Sequence, residues 1–208
     1  MTEAQVVFFI LTSLIVIITP GQDMVLVMSR AVAQGSKAGI ATAAGVSVGL
    51  LGHTLLTALG LGSLLMASEF LFILLKFVGA AYLIYLGLRL LISKTSKLEL
   101  ESVKPTRLRS LFIQGAVSNI ANPKITIFYF AFLPQFIATD AGSPTLLLLL
   151  LGLSFATLTF LVKGPAGYFA GILSTWLRSR PVVLKWLDRT SGTVLIGLGL
   201  KLAIEKRA

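Results

Sequence analysis

Apolar residues run along this chain in long blocks separated by short polar stretches. Six blocks are long enough to cross a bilayer, near residues 4–32, 38–67, 69–93, 110–138, 144–175 and 190–205. A crossing helix needs about 20 mostly apolar residues. The first, second, fourth and fifth blocks exceed that, so tilt, a break or an end lying in the interface must absorb the surplus. The longest polar stretch, 93–109, is too short to fold alone. The pattern predicts an all-α integral membrane protein with six transmembrane helices, forming one transmembrane domain over residues 1–208. The apolar start "MTEAQVVFFILTSLIVI" lacks the basic n-region and cleavage site of a signal peptide and reads as the first span, retained.

Two of the long blocks are interrupted. "IITPGQDMVLV" (17–27) sets Pro20 beside Gly21 and follows them with Asp23. "SNIANPKITIFYF" (118–130) sets Pro123 among Asn119, Asn122 and Lys124. The two prolines lie about half a chain length apart, in spans one and four, which enter the membrane from opposite sides. The halves therefore read as two inverted three-helix repeats, 1–93 and 110–208, joined by a loop over 94–109, with helices one and four broken. Paired interruptions at corresponding positions of inverted halves are the sequence sign of a transporter's binding site.

The physics of such a break is specific. Proline removes a backbone donor and clashes with the carbonyl one turn back. Unpaired backbone groups are tolerated at membrane depth only inside protein or beside a water-filled cavity. Freed amides at a half-helix N-terminus suit an anion, and freed carbonyls with an acid suit a cation. A zwitterionic amino acid carries both charges. At 1.5 Å per residue, Asp23 lies about 25 Å from the outer edge and Lys124 about 20 Å from the inner edge of a core about 30 Å thick. That spacing predicts two poles of one pathway rather than a direct ion pair. Asp23 would take an ammonium or a coupling proton, and Lys124 a carboxylate.

Charge sets the orientation. Twelve of the 18 Lys and Arg residues fall in loops one, three and five, from Arg30 and Lys37 through the 89–109 cluster to Arg178, Arg180, Lys185 and Arg189. Loops two ("MASE") and four ("TDAGS") hold none. Basic loops stay cytoplasmic, so six spans put both termini outside; Lys206 and Arg207 near the C-terminus are outweighed.

Composition narrows the function. Only 12% of residues are charged and 56% are hydrophobic, against about 25% charged in a soluble domain. The net charge of +10 sits between the apolar blocks rather than on one basic face, so no nucleic-acid partner is expected; the bilayer is the partner surface. Without cysteine, disulfides and thiolate metal sites are excluded. A hard-cation site needs several carboxylates in the membrane, and Asp23 stands alone, so no metal and no cofactor are expected and a metal-ion exporter is disfavoured. No GxSxG or HExxH element suggests an enzyme, and no Walker sequence suggests ATP as the direct drive. A carrier and a channel are not separable from the sequence, and a homo-oligomer is as compatible with it as a monomer.

Three segments resemble a known family. "TPGQDMVLVMSRAVAQGSKAGIATAAGVSVGLLGH" (19–53) resembles the first signature of the LysE/RhtB family of amino-acid exporters, "FIQGAVSNIANPKITIFYFAFLPQF" (112–136) its second, and "SGTVLIGLGLKLA" (191–203) its C-terminal span. Gln22 stands where that family usually has proline. The resemblance implies a six-span inner-membrane exporter of amino acids or small derivatives, driven by the proton gradient. It carries over, position by position, Pro20, Gly21, Asp23, Gly115, Asn119, Asn122, Pro123 and Lys124 as residues of the substrate or proton pathway.

Two further polar residues lie within the apolar blocks. His53, the sole histidine, can relay protons or donate a hydrogen bond to a neighbouring helix. Lys163 lies about 27 Å into span five at 1.5 Å per residue, where a lysine can snorkel to the cytoplasmic edge. If Gly164–Pro165 breaks the helix instead, Lys163 lines the cavity. In span two, Gly45 and Gly49 form a small-xxx-small pair that lets helices approach closely.

Overall fold

The fold is taken from a computed structural model, which describes residues 1–19, 21–61, 69–92, 106–137, 143–178 and 181–204. Pro20 and most of the basic loop expected at 94–109 lie outside the described residues. Everything regular among the described residues is helical: α1 (Glu3–Ile18), α2 (Gln22–Gln34), α3 (Ser36–Leu56), α4 (Glu69–Ile92), α5 (Leu108–Ile120), α6 (Pro123–Ile127), α7 (Pro144–Arg178) and α8 (Pro181–Ile204). Among them, Ser36–Gly60 and Pro144–Phe169 are each long and apolar enough to cross a membrane, and α1 with α2, bent by 54°, pass the same test together as a broken span or a re-entrant loop.

Local chemistry explains the boundaries. Thr2 and Gln5 form a reciprocal capping box that starts α1. Gly35, with φ of 87°, ends α2 in the left-handed region that glycine reaches without steric cost. The fourth block splits after Ile120. Asn122 caps the new helix, its Oδ1 accepting from the Lys124 amide at 3.1 Å, and Pro123 occupies the first turn, where its missing N–H costs nothing. Beyond α6 the chain passes through a π-helical turn (Phe128–Phe132) into a 3-10 turn (Leu133–Phe136) containing Pro134. The final helix begins at Pro181, earlier than the apolar block near 190, because proline can open a helix ahead of the apolar run.

The central helix is α3, which packs against α2, α5 and α7, while α4 packs against α8. The α3–α5 crossing is close because it is built on glycine. A Cβ at Gly45 would strike the Phe112 carbonyl, and one at Gly115 would strike the Thr42 carbonyl. A Cβ at Gly49 would come within 2.7 Å of the Ala116 carbonyl oxygen. The buried core is aromatic: Phe128 stacks on Phe132 at 4.9 Å and on Phe155 at 4.7 Å, and Phe9 meets Phe136 edge-on. The outer surface is apolar as well, with Leu56, Leu59, Phe70, Leu161 and Ile204 exposed. Such a surface suits lipid rather than water.

Candidate functional site

The break between α1 and α2 sets two half-helix ends together. The C-terminus of α1 leaves carbonyls that no later turn can satisfy, and the N-terminus of α2 leaves amides. Charges match these ends. Asp23 lies in the first turn of α2, where a helix favours an anion. The Lys124 ammonium donates to the carbonyl oxygens of Val16 at 2.9 Å and Thr19 at 3.2 Å, at the α1 end that favours a cation. Thr19 also turns its own hydroxyl back to the Ile15 carbonyl at 2.6 Å. The second break thus supplies the cation that closes the first. Gly21 borders it: a Cβ there would lie 3.7 Å from the Lys124 Nζ.

Asp23 is 2% exposed and is the meeting point of three helices. Its Oδ2 accepts from Asn119 Nδ2 of α5 at 2.8 Å and from Lys163 Nζ of α7 at 3.4 Å. Its Oδ1 is buried with no partner among the described residues. Lys163 is 4% exposed and forms an ion pair with Asp23. The helix that carries Lys163 runs unbroken through Pro165. Lys163 is therefore interior without any interruption at Gly164–Pro165, a combination outside the two the sequence offered. Its stem reaches inward from a continuous helix face.

His53 joins the centre from α3. Its Nε2 lies 3.2 Å from the Asn119 carbonyl oxygen. A carbonyl can only accept, so Nε2 carries the proton and donates. Nδ1 is then a bare acceptor, buried and without a partner among the described residues.

The structure brings Asp23, Asn119, His53 and Lys163 into one connected set, with Lys124 and Gly21 at the adjoining break. Asn122 and Pro123 shape the second break and carry Lys124. Gly115 lies apart from the polar centre, in the backbone contact with α3. Asp23 and Lys124 make no direct ion pair among the described residues, as their spacing predicts. Both nevertheless meet the first break, Asp23 in the first turn of α2 and Lys124 by extending its side chain to the Val16 and Thr19 carbonyls at the end of α1.

Sequence reasoning missed Tyr129, and it noted Gln22 only as a departure from the family pattern. The buried Tyr129 hydroxyl lies 3.2 Å from the Thr54 hydroxyl and donates to the Gly152 carbonyl at 3.3 Å, with its ring 5.5 Å from that of His53. A tyrosine inside an aromatic run carries no signal that its hydroxyl is used. Gln22 binds α2 to α5 through Nε2 and the Ser118 hydroxyl at 3.2 Å, a bond that proline at this position could not make. Beside that bond a groove of about 610 Å³ opens between α2 and α5, with Ser29 and Gln114 among apolar Val25, Leu26, Ile113 and Val117.

The profile of the LysE type translocator family matches residues 14–206. The chain is 32% identical to YrhP, a membrane protein of Bacillus subtilis (strain 168), over 91% of this chain and 93% of that one. It is 30% identical to the homoserine/homoserine lactone efflux protein of Salmonella typhimurium, over 96% of each. It is 24% identical to the leucine efflux protein of Klebsiella pneumoniae, over 94% of this chain and 92% of that one. No solved structure matches the chain.

Proposed function

The chain belongs to the LysE type translocator family, and from that premise we propose that it is a secondary transporter exporting amino acids or small derivatives across the inner membrane. Relatives named for the efflux of homoserine, its lactone and leucine support this substrate class. The observation that carries the reading is the fully buried Asp23 at the start of a half-helix, reached by side chains from two other helices. A charge inside the bilayer costs at least about 2.5–3.5 kcal/mol on insertion scales, and a site that bears the cost is functional by default.

The drive is proton antiport. A substrate ammonium and a proton neutralise the same carboxylate, so each excludes the other from Asp23. That exclusion is what exchange of one for the other requires. The pathway comprises Pro20, Gly21, Asp23, His53, Gly115, Asn119, Asn122, Pro123, Lys124 and Lys163. The groove between α2 and α5 ends at Gln22 and Ser118, the chain neighbours of Asp23 and Asn119, and serves as the approach from one side. Purified protein in liposomes preloaded with leucine or homoserine should accumulate external labelled substrate by counterflow. A channel would let the label equilibrate without trans-stimulation, and that result would remove the carrier.

The architecture that fits is a single transmembrane domain of six crossings in two inverted halves, 1–93 and 110–208. Loops one, three and five face the cytoplasm and both termini face out. The cysteine-free chain makes the orientation testable. Among single cysteines at Ser96, Ser143 and Ser179, an impermeant thiol reagent added to intact cells should label only position 143. Labelling at position 96 sinks the orientation.

A further inference from the structure

Two lysines stand near the start of α2, the buried Lys163 and the half-buried Lys124, and the structure treats them differently. Lys124 is committed: its ammonium donates to the Val16 carbonyl at 2.9 Å and the Thr19 carbonyl at 3.2 Å. Lys163 is not. Its ammonium makes a single contact among the described residues, 3.4 Å from Asp23 Oδ2, which is long for a charge-assisted bond, ordinarily about 2.7–2.9 Å. On the other side of the pair, Asp23 Oδ1 has no hydrogen-bond partner among the described residues. The ion pair is buried yet loosely made, with unused capacity on both partners.

From this we infer that the Asp23–Lys163 ion pair is the substrate's own receptor: a zwitterion inserts into it, Asp23 taking the ammonium and Lys163 the carboxylate. Lys124 is a positioning residue that holds the break and does not touch the carboxylate. The inference rests on the exporter reading above and assigns its carboxylate partner. The physical reason is charge balance between two buried groups. Separating a buried ion pair leaves each partner uncompensated, which is strongly unfavourable. A ligand with both charges compensates both partners when the pair opens. A ligand with only an ammonium leaves Lys163 bare, and one with only a carboxylate leaves Asp23 bare. Selectivity for zwitterions therefore follows from the pair itself, and Asn119, bonded to Asp23 at 2.8 Å, keeps the carboxylate in place while Lys163 moves off.

The test measures competition against leucine and homoserine counterflow in liposomes by leucinamide, which keeps the ammonium, and N-acetylleucine, which keeps the carboxylate. In the wild type each single-charge analogue should compete at least about 30-fold more weakly than leucine, the scale set by truncating one partner of a buried charge pair. In Lys163→Met the preference for leucine over leucinamide should fall to about unity, whereas Lys124→Met should keep it. Lys163→Gln, which leaves Asp23 ionised and can still donate to it, carries the same comparison if Lys163→Met does not fold, and the preference should be lost there too. Equal competition by leucine and leucinamide in the wild type overturns the inference while leaving the exporter intact. So does a preference that survives in the Lys163 variants but disappears in Lys124→Met. If the wild type exchanges neither leucine nor homoserine, the exporter reading fails and takes this inference with it.

Discussion

Asp23→Asn is expected to abolish net export. The substitution preserves shape, and the amide oxygen can still accept from Asn119 Nδ2, now 2.8 Å from Asp23 Oδ2. What disappears is the charge. The Lys163 ammonium, 3.4 Å away and 4% exposed, loses its counterion in a buried site. Truncating one partner of a buried charge pair costs about 2–5 kcal/mol, or roughly 30- to several-thousand-fold in affinity. The variant also loses the one acid within the described polar centre that can alternate between proton and ammonium. Export driven by an imposed pH gradient should therefore fall to the level of empty liposomes. If Asp23 serves the proton alone, substrate exchange persists in Asp23→Asn; if it receives the ammonium, exchange is lost with it. Wild-type export in this variant would end the mechanism. Recovery of folded protein is checked by size exclusion in detergent, since an unpaired buried lysine also weakens the fold.

Lys124→Met should lower the transport rate by at least about tenfold, the equivalent of one lost charge-assisted hydrogen bond of roughly 1.5–3 kcal/mol. The ammonium now satisfies two carbonyls at the end of α1, those of Val16 and Thr19. Without it these oxygens keep their acceptor capacity in an interior that offers few donors, and the junction between α1 and α2 loses its clasp to the second break. Lys124→Arg retains donors at the same place and should recover part of the rate, while Lys124→Gln, shorter and neutral, should resemble the methionine variant. The readout is the initial rate of counterflow at saturating leucine. A wild-type rate in both neutral variants would show that the clasp does not hold the transport-competent geometry.

Read along the chain, the broken helices were visible because proline and glycine act locally. Pro123 opens a helix wherever it falls in a first turn, and Asn122 before it is a capping residue in any fold. The apolar blocks, being a property of residue order alone, likewise announced helices on α3 and α7. The partner of Asp23 was not visible. Nothing local links Asp23 to Lys163, 140 residues away, or to Asn119, 96 residues away. A lysine near the end of an apolar block looks the same whether it snorkels or turns inward, and only the packing of α7 against α2 and α3 selects the second. Tyr129 is a similar case: its hydroxyl acquires a role only because α3 brings Thr54 to it.

By itself, then, the sequence determined that the chain is helical, that it is built for lipid, and that two of its helices are interrupted beside polar residues. These follow from hydropathy and from backbone chemistry, which act within a turn or two of each residue. The tertiary structure alone decided how the interior charges find partners: buried Lys163 with Asp23, half-buried Lys124 with the carbonyls of Val16 and Thr19. Pairing inside a membrane protein is set by which helix faces meet, because a buried charge must find its counterpart through space wherever the chain has carried it.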